Sequence, residues 1–431
     1  MNATLRARAK FRSMRHLTVT FATLLIAGSS GCIDRIKIGD ILRGSGGAGA
    51  ADGGIASGGS TGTGGRTMAA AGRSGGWATG GNVGTSDGGA STSKLDVLFM
   101  IDNSASMKPL QAKLAAQLPS FINGLRSLPG GLPDLHLAVI SSSLGAGAFG
   151  DVPGCVPGAP GGDDGGRFQH KVGCGLNAGE TFLKSEDGGN NFTGSLSDVF
   201  SCIAQLGDGG CGFEHQLEST RVALMKAEMA SDPDNGGFLR ADAKLAIVML
   251  TNEDDCSVPP ESQLFDTSVA LVADQPPLGG LWSYRCNEFG HKCDQPMPHT
   301  ANGLPLTMTG CVSKEDTNGM YHLTPVADFV TFLKGLKSAP NDVFVAALAG
   351  PLAPYVVHAR TAQTGSGVTE QQPEVSHACT ATDGTYADPS IRLSSFVSAF
   401  GVNGDAETIC ADSFAPAIAN MVTRMTTGLG L

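Results

Sequence analysis

Residues 95–101, 135–140, 244–251 and 342–349 are runs in which apolar side chains follow one another with little polar alternation. Strands covered on both faces read this way, and parallel sheets between layers of helices supply such strands. His136, inside the second run, is expected to be packed rather than chemical. Between these runs the spacing becomes helical. Leu110, Leu114, Phe121, Ile122 and Leu125 share one face of a helix predicted over 107–128, which Pro119 is expected to kink or divide. Further helices are predicted over 192–206, 216–229 and about 413–425. Thr324-Pro325 opens another, the threonine as cap and the proline in its first turn. The spacing of Leu393, Phe396, Val397 and Phe400 leans helical over 391–400, and residues 355–358 leave room for a short strand. Strands separated by helices predict an α/β fold: a doubly wound, mostly parallel sheet with helices on both faces and right-handed crossovers.

Composition changes this picture first at the N-terminus. Arg6, Arg8, Lys10, Arg12 and Arg15 precede an apolar run over 17–27, then Gly28-Ser29-Ser30-Gly31-Cys32. The run is too short for a mature membrane-spanning helix and has the layout of an export signal. Its end resembles a bacterial lipoprotein signal, which implies that Cys32 carries lipid and anchors the chain to a membrane. Cleavage nearby, with Cys32 left as a thiol, is the alternative. Much of the chain's glycine (61 residues) falls within residues 44–93, beside serine, threonine, alanine and aspartate. Such a segment buries too little to fold and reads as a tether spreading over ~40 Å. Three Gly-x-Ser-x-Gly matches inside it lack a strand and helix around them and follow from composition. The expected organisation is an export signal over 1–31, a tether over 32–93 and a head over 94–431, with inserts near 145–191, 256–323 and 351–390.

The cysteines separate in the same way. Ten of the 11 lie in the head: Cys155, Cys174, Cys202, Cys211, Cys256, Cys286, Cys293, Cys311, Cys379 and Cys410. An even set in an exported chain predicts up to five disulfides. Cys155 and Cys174 are expected to pin the first insert, and Cys202 can reach Cys211 across a short gap. Cys286, His291, Cys293 and His299 have spacings open to zinc, but the oxidising compartment favours disulfides. Asp163-Asp164-Gly165-Gly166 and residues 186–190 hint at calcium turns without the full loop signature, so solvated turns are expected. Asn191-Phe192-Thr193 matches a glycosylation acceptor that a bacterial-looking chain leaves idle.

Candidate chemistry gathers where the first strand ends. Asp102, Ser104 and Ser106 place one carboxylate and two hydroxyls, two residues apart, in the loop at a strand's carboxyl end, where open parallel sheets bind ligands. Hard oxygen donors of this kind suit calcium or magnesium. A capped helix start, with the serines serving loop amides, is the structural alternative. The pattern resembles the metal-ion-dependent adhesion site of von Willebrand factor type A domains, over residues 94 to about 350. That resemblance implies a threonine ligand in the 207–214 loop, where this chain offers Glu214. It also implies an aspartate after Thr251, where this chain has Asn252 and then Glu253, Asp254 and Asp255. The implied ligand set is Asp102, Ser104 and Ser106, with Glu214, Asn252 and Asp254.

The net charge is −11, and no basic tract outside the N-terminus points to nucleic acid. Metalloprotease, P-loop and dinucleotide motifs are absent, and no nucleophile elbow stands in the head. The reading is a lipid-anchored binding module, exported to the cell envelope or outer membrane, for a protein or surface-polymer ligand. A metal-dependent envelope hydrolase and a structural surface protein with a degenerate metal site are the alternatives.

Overall fold

The computed structural model describes residues 93–186, 189–268, 278–363 and 369–431. The predicted export signal, Cys32 and the tether up to residue 92 lie outside the described residues. Seven strands form the main sheet: β1 (Lys94–Ile101), β2 (Asp134–Ser141), β3 (Leu183–Glu186), β4 (Gly189–Asn190), β5 (Lys244–Leu250), β6 (Val343–Ala349) and β7 (Gly404–Thr408). Their order is β7-β6-β5-β1-β2-β3-β4. The pairs from β7 through to β2 are parallel, while β3 and β4 close the far edge antiparallel. Phe99 of β1 stands opposite Val139 of β2 and Val248 of β5, which fixes which side chains share a face.

The helices are α1 (Lys108–Arg126), α2 (Leu196–Ile203), α3 (Gln216–Glu228), α4 (Tyr284–Gly290), α5 (Val326–Gly335), α6 (Ile391–Ser398) and α7 (Ala415–Leu429). Because side chains alternate along a strand, β1 serves two cores. Val97, Phe99 and Ile101 pack with α1, α2 and α7, whereas Leu98 and Met100 pack with α3, α5 and α6. Phe99 sits edge-on between Phe121 and Phe200, with centroids 5.5 and 4.8 Å away. Burying each such side chain contributes about 1.5–3 kcal/mol. This is the doubly wound, mostly parallel α/β architecture with helices on both faces. His136 is packed as expected, bonded by its two ring nitrogens to the Phe238 carbonyl and Glu186 at 2.8 and 2.7 Å.

Pro119 does not divide α1, which runs continuously from Lys108 to Arg126. A proline removes the donor for the carbonyl four residues earlier. Here that carbonyl, on Ala115, accepts the Ser201 hydroxyl of α2 at 3.0 Å. The helix is therefore repaired by its neighbour.

The chain winds outward from β1 to β4, then returns to the other side of β1 for β5, β6 and β7. The carboxyl ends of β1 and β5 thus flank the point where winding reverses, the crevice in which such sheets bind ligands. The long loops after β2, β5 and β6 all leave from this same end.

Five disulfides brace the head: Cys155–Cys211, Cys174–Cys202, Cys256–Cys286, Cys293–Cys311 and Cys379–Cys410. The pairing differs from expectation at two places. Cys155 does not close the first insert on itself but ties it to the loop before α3. Cys202 reaches back from α2 to Cys174 instead of forward to Cys211. Helix α2 and the first insert pack side by side, so the partner close in space is not the one close in sequence.

Candidate metal centre

Asp102 is the first residue after β1 and is fully buried. Its Oδ1 accepts the Ser104 amide at 2.8 Å and the Ser142 hydroxyl, from the end of β2, at 3.2 Å. Its Oδ2 accepts the Thr251 hydroxyl, from the end of β5, at 2.7 Å. One carboxylate is thus held by the ends of three adjacent strands. Burial outweighs these bonds and raises its pKa above the usual carboxylate value.

The loop before α3 lies across this turn. Gln111 of α1 donates to the Asp102 and Gly207 carbonyls at 2.7 and 2.8 Å, and its own oxygen accepts the Gly207 amide. The Gly210 amide donates to the Asn103 carbonyl at 2.7 Å. A Cβ on Gly210 would stand 2.6 Å from that oxygen, so only glycine permits this approach. The Cys155–Cys211 bond fixes the next residue. The result delivers Glu214, 1% exposed, into the interior.

Ser106, half-buried, donates to Asn252 Oδ1 at 3.1 Å, and the Asn252 amide donates to the Tyr386 carbonyl at 3.2 Å. The Tyr386 hydroxyl in turn meets Ser106. Asp102, Ser104, Ser106 and Asn252 therefore meet around the ends of β1 and β5, and Glu214 joins them from α3's side, within electrostatic reach of Asp102.

Asp254 is committed elsewhere. Its Oδ2 accepts His291 Nε2 and the Arg392 amide, each at 2.8 Å, and its Oδ1 accepts the Leu393 amide at 3.1 Å. Burial works against its charge, but the His291 bond and the α6 amides prevail and hold its pKa below the usual range. Asp255 caps α3 through the Leu217 amide at 2.9 Å and pairs with the buried Arg392 at 3.0 Å. Glu253 is the carboxylate of this trio that joins the Asp102 neighbourhood. Burial, then Asp388 and Asp102, raise its pKa to about 8. Glu214 is raised by burial and by Glu253, Asp102 and Asp388 together.

Two buried oxygens here have no hydrogen-bond partner, Glu214 Oε1 and Gln216 Oε1, and Ser104 Oγ has none but the Asp102 carboxylate beside it. Gln216 reaches the same place, since its amide donates to Thr251 at 2.9 Å. Leaving such groups unpaired costs about 1–3 kcal/mol each. A hard cation satisfies oxygen donors of this kind, so the donor set fits calcium or magnesium. Among the described residues no group of three or more His, Cys, Asp and Glu is arranged to hold a metal. The oxygen set described above mixes carboxylates with hydroxyls and amides.

The other sequence candidates resolve structurally. The zinc-spaced set is spent, with Cys286 and Cys293 in disulfides, His291 on Asp254 and Tyr355, and His299 on Glu288 at 2.8 Å. The Asp163–Asp164 turn is not simply solvated. Asp164 is 7% exposed, accepting the Ser141 hydroxyl and the Gly161 amide. The sequence reading missed Ser142 and Gln216 as neighbours of the site; a hydroxyl run ending the β2 strand was the available signal for the first.

No family model matches this sequence, and no curated protein matches it. Among solved structures, the pilus adhesin SpaC from Lactobacillus rhamnosus GG, in an open conformation, is similar over 78% of this chain and 30% of its own, at 14% identity and a TM-score of 0.33. The human COPII-coat protein Sec24c is similar over 78% of this chain and 32% of its own, at 8% identity and a TM-score of 0.30. The chain thus spans about a third of the length of each of these proteins.

Proposed function

We propose that this chain is a binding module resembling the von Willebrand type A kind, whose ligand site is built on a divalent cation at the ends of β1 and β5. The observation that carries the reading is the partnerless buried oxygen Glu214 Oε1, with Ser104 Oγ met by Asp102 alone, beside a carboxylate already held by three strand ends. Asp102, Ser104, Ser106 and Glu214 would hold calcium or magnesium, and Asn252 would support Ser106. Asp254 is not retained in this set, because its oxygens serve His291 and α6. The ion would supply a positive centre to which an oxygen-bearing ligand binds. The inserts, rising from the same end of the sheet, would form the surface that selects a protein or surface-polymer ligand.

Anchoring is part of the same proposal. Cys32 would carry lipid after removal of residues 1–31, and the glycine-rich tether would hold the head off the envelope membrane. Cys32→Ala is expected to move the protein from the membrane to the soluble fraction, and intact mass of the wild type should show the acyl chains. A mature wild-type chain without lipid would end this part.

Calorimetric titration of the metal-free chain tests the ion. One calcium or magnesium is expected to bind, with about tenfold weaker affinity in Ser104→Ala, an energy of about 1.4 kcal/mol. Wild-type protein showing no uptake at millimolar ion would remove the reading.

A further inference from the structure

The geometry points to an acyl-transfer site on the hairpin formed by Val356–Gln363 and Thr369–Val375: Ser376 as nucleophile, His358 as its base and Glu374 behind the base, acting on small carboxylic esters. It uses none of the ligands proposed for the ion.

Strand register brings these side chains together. Val357 stands opposite Val375, and His358 opposite Glu374. The Ser376 amide donates to the Val356 carbonyl at 2.8 Å, which carries the ladder one residue further. Faces alternate along a strand, so Val357 and Val375 share one face and His358, Glu374 and Ser376 the other. The valines are buried with Tyr355 and Ile391 and anchor the hairpin. The opposite face stays reachable: Ser376 is half-buried, and the His358 and Glu374 side chains are 39% and 35% exposed. A pinned strand pair holds reacting groups more tightly than a loop does.

The contacts on that face run in a line. Ser376 Oγ lies 2.9 Å from His358 Nδ1. His358 Nε2 lies 3.3 Å from Glu374 Oε2, and Glu374 Oε1 accepts from Arg360 Nη1 at 2.8 Å. Arg360 rests over Trp282, 5.3 Å from the ring centroid, which holds the carboxylate in place. A carboxylate only accepts, so it draws the imidazole proton to Nε2 and leaves the Nδ1 lone pair facing the serine. The Ser376 hydroxyl therefore donates to Nδ1, the direction that activates a nucleophile. An ion pair across the strands would be complete with His358, Glu374 and Arg360; it does not account for a hydroxyl on the second ring nitrogen. The amide after a nucleophile is a recurrent oxyanion donor, and that of His377 donates to no acceptor among the described residues. No elbow motif marks the site, because Ser376 and His358, 18 residues apart, meet only once the hairpin forms.

In the step that follows, Ser376 Oγ bonds to the ester carbonyl carbon and its proton passes to His358 Nδ1. The carbonyl electron pair moves onto oxygen, where the His377 amide meets it. Collapse of this intermediate breaks the bond to the alkoxy oxygen, which takes the proton from Nδ1 and leaves as the alcohol. Water then attacks the acyl-serine by the same route, releasing the acid and restoring Ser376. The open face has no enclosing wall, so it suits short acyl chains.

The test uses the full chain with a chelator present, so that no ion contributes. Hydrolysis of p-nitrophenyl acetate is followed over many turnovers, and the residue labelled by a fluorophosphonate is located by peptide mass. Wild type is compared with Ser376→Ala, His358→Gln, Glu374→Gln and Ser231→Ala, the last at an exposed position elsewhere. Ser376→Ala and His358→Gln should each lower turnover about a hundredfold, and the label should sit on Ser376. Glu374 is a positioning residue, so Glu374→Gln should lower kcat about tenfold at unchanged KM. Ser231→Ala should match wild type. A wild type that neither turns over ester nor takes the label would overturn the inference. So would a label on another residue, wild-type turnover in Ser376→Ala, or turnover that appears only when calcium or magnesium is restored. The label's position is read on wild-type protein, so a substitution that unfolds the hairpin does not shield the inference.

Discussion

Three consecutive carboxylates, Glu253, Asp254 and Asp255, differ in chemistry because of what arrives from far along the chain. His291 and the α6 amides come to Asp254, and Arg392 comes to Asp255, from 37 and 137–139 residues away. Glu253 receives only a serine and further negative charge, so its pKa rises to about 8. The sign of the pH dependence follows. Relative to an ordinary glutamate at 4.5, a raised folded-state pKa contributes stability that is fully present below about 4.5 and lost as pH rises through about 8. Denaturant unfolding of the ion-free protein should therefore show falling stability across that window, by at most ~1.4 kcal/mol per pH unit. Glu253→Gln should flatten the slope, and an unchanged slope would contradict the assignment. Asp255→Ala should be costlier, about 3–5 kcal/mol by the same measurement, because it strands the fully buried Arg392. The D-x-S-x-S loop was legible in sequence because its spacing is local. Which of the three later carboxylates joins it was not, since that choice depends on His291 and Arg392.

At the scale of elements, legibility followed burial. β1, β2, β5 and β6 are sandwiched between helices, so their sequences are apolar without alternation and could be read directly. β7, Gly-Asp-Ala-Glu-Thr, is an edge strand with partly exposed residues and carries no such pattern. The Val356–Gln363 and Thr369–Val375 hairpin is longer than the short strand expected there, and its polar residues hide it. α1 shows the opposite case, a legible helix with a misleading proline. Ser201→Ala should remove the donor that serves Ala115 and cost about 1 kcal/mol of stability, read as a lowered unfolding midpoint. No change would mean that the carbonyl is served otherwise. The Cys155–Cys211 bond joins the first insert to the loop that carries Glu214. Cys155→Ser/Cys211→Ser is expected to lose about 2–4 kcal/mol and to weaken ion uptake as well. Lost stability with unaltered ion affinity would separate that loop from the site.

Across the whole molecule, the sheet, its two helical layers and the inserts have one common consequence. The long loops after β2, β5 and β6 leave from the end where β1 and β5 part, and four of the five disulfides lie within or border the inserts after β2 and β5. The amino ends of the strands are held instead by an ion cluster, Asp96 and Asp134 on Arg240 at 2.8 and 2.6 Å, with Lys337 buried against Asp96. One end is thus closed by paired charges, while the other gathers unpaired carboxylates and partnerless oxygens. The central claim is that a divalent cation completes that second end. Anomalous diffraction from crystals of the full chain grown with manganese, a spectroscopically visible substitute for magnesium, tests it most directly. The account predicts one strong peak bonded to Asp102, with Ser104, Ser106 or Glu214 completing its protein ligands, and no such peak in Asp102→Ala crystals. Density at that position explained by water alone, or a manganese peak bound only elsewhere, would contradict it.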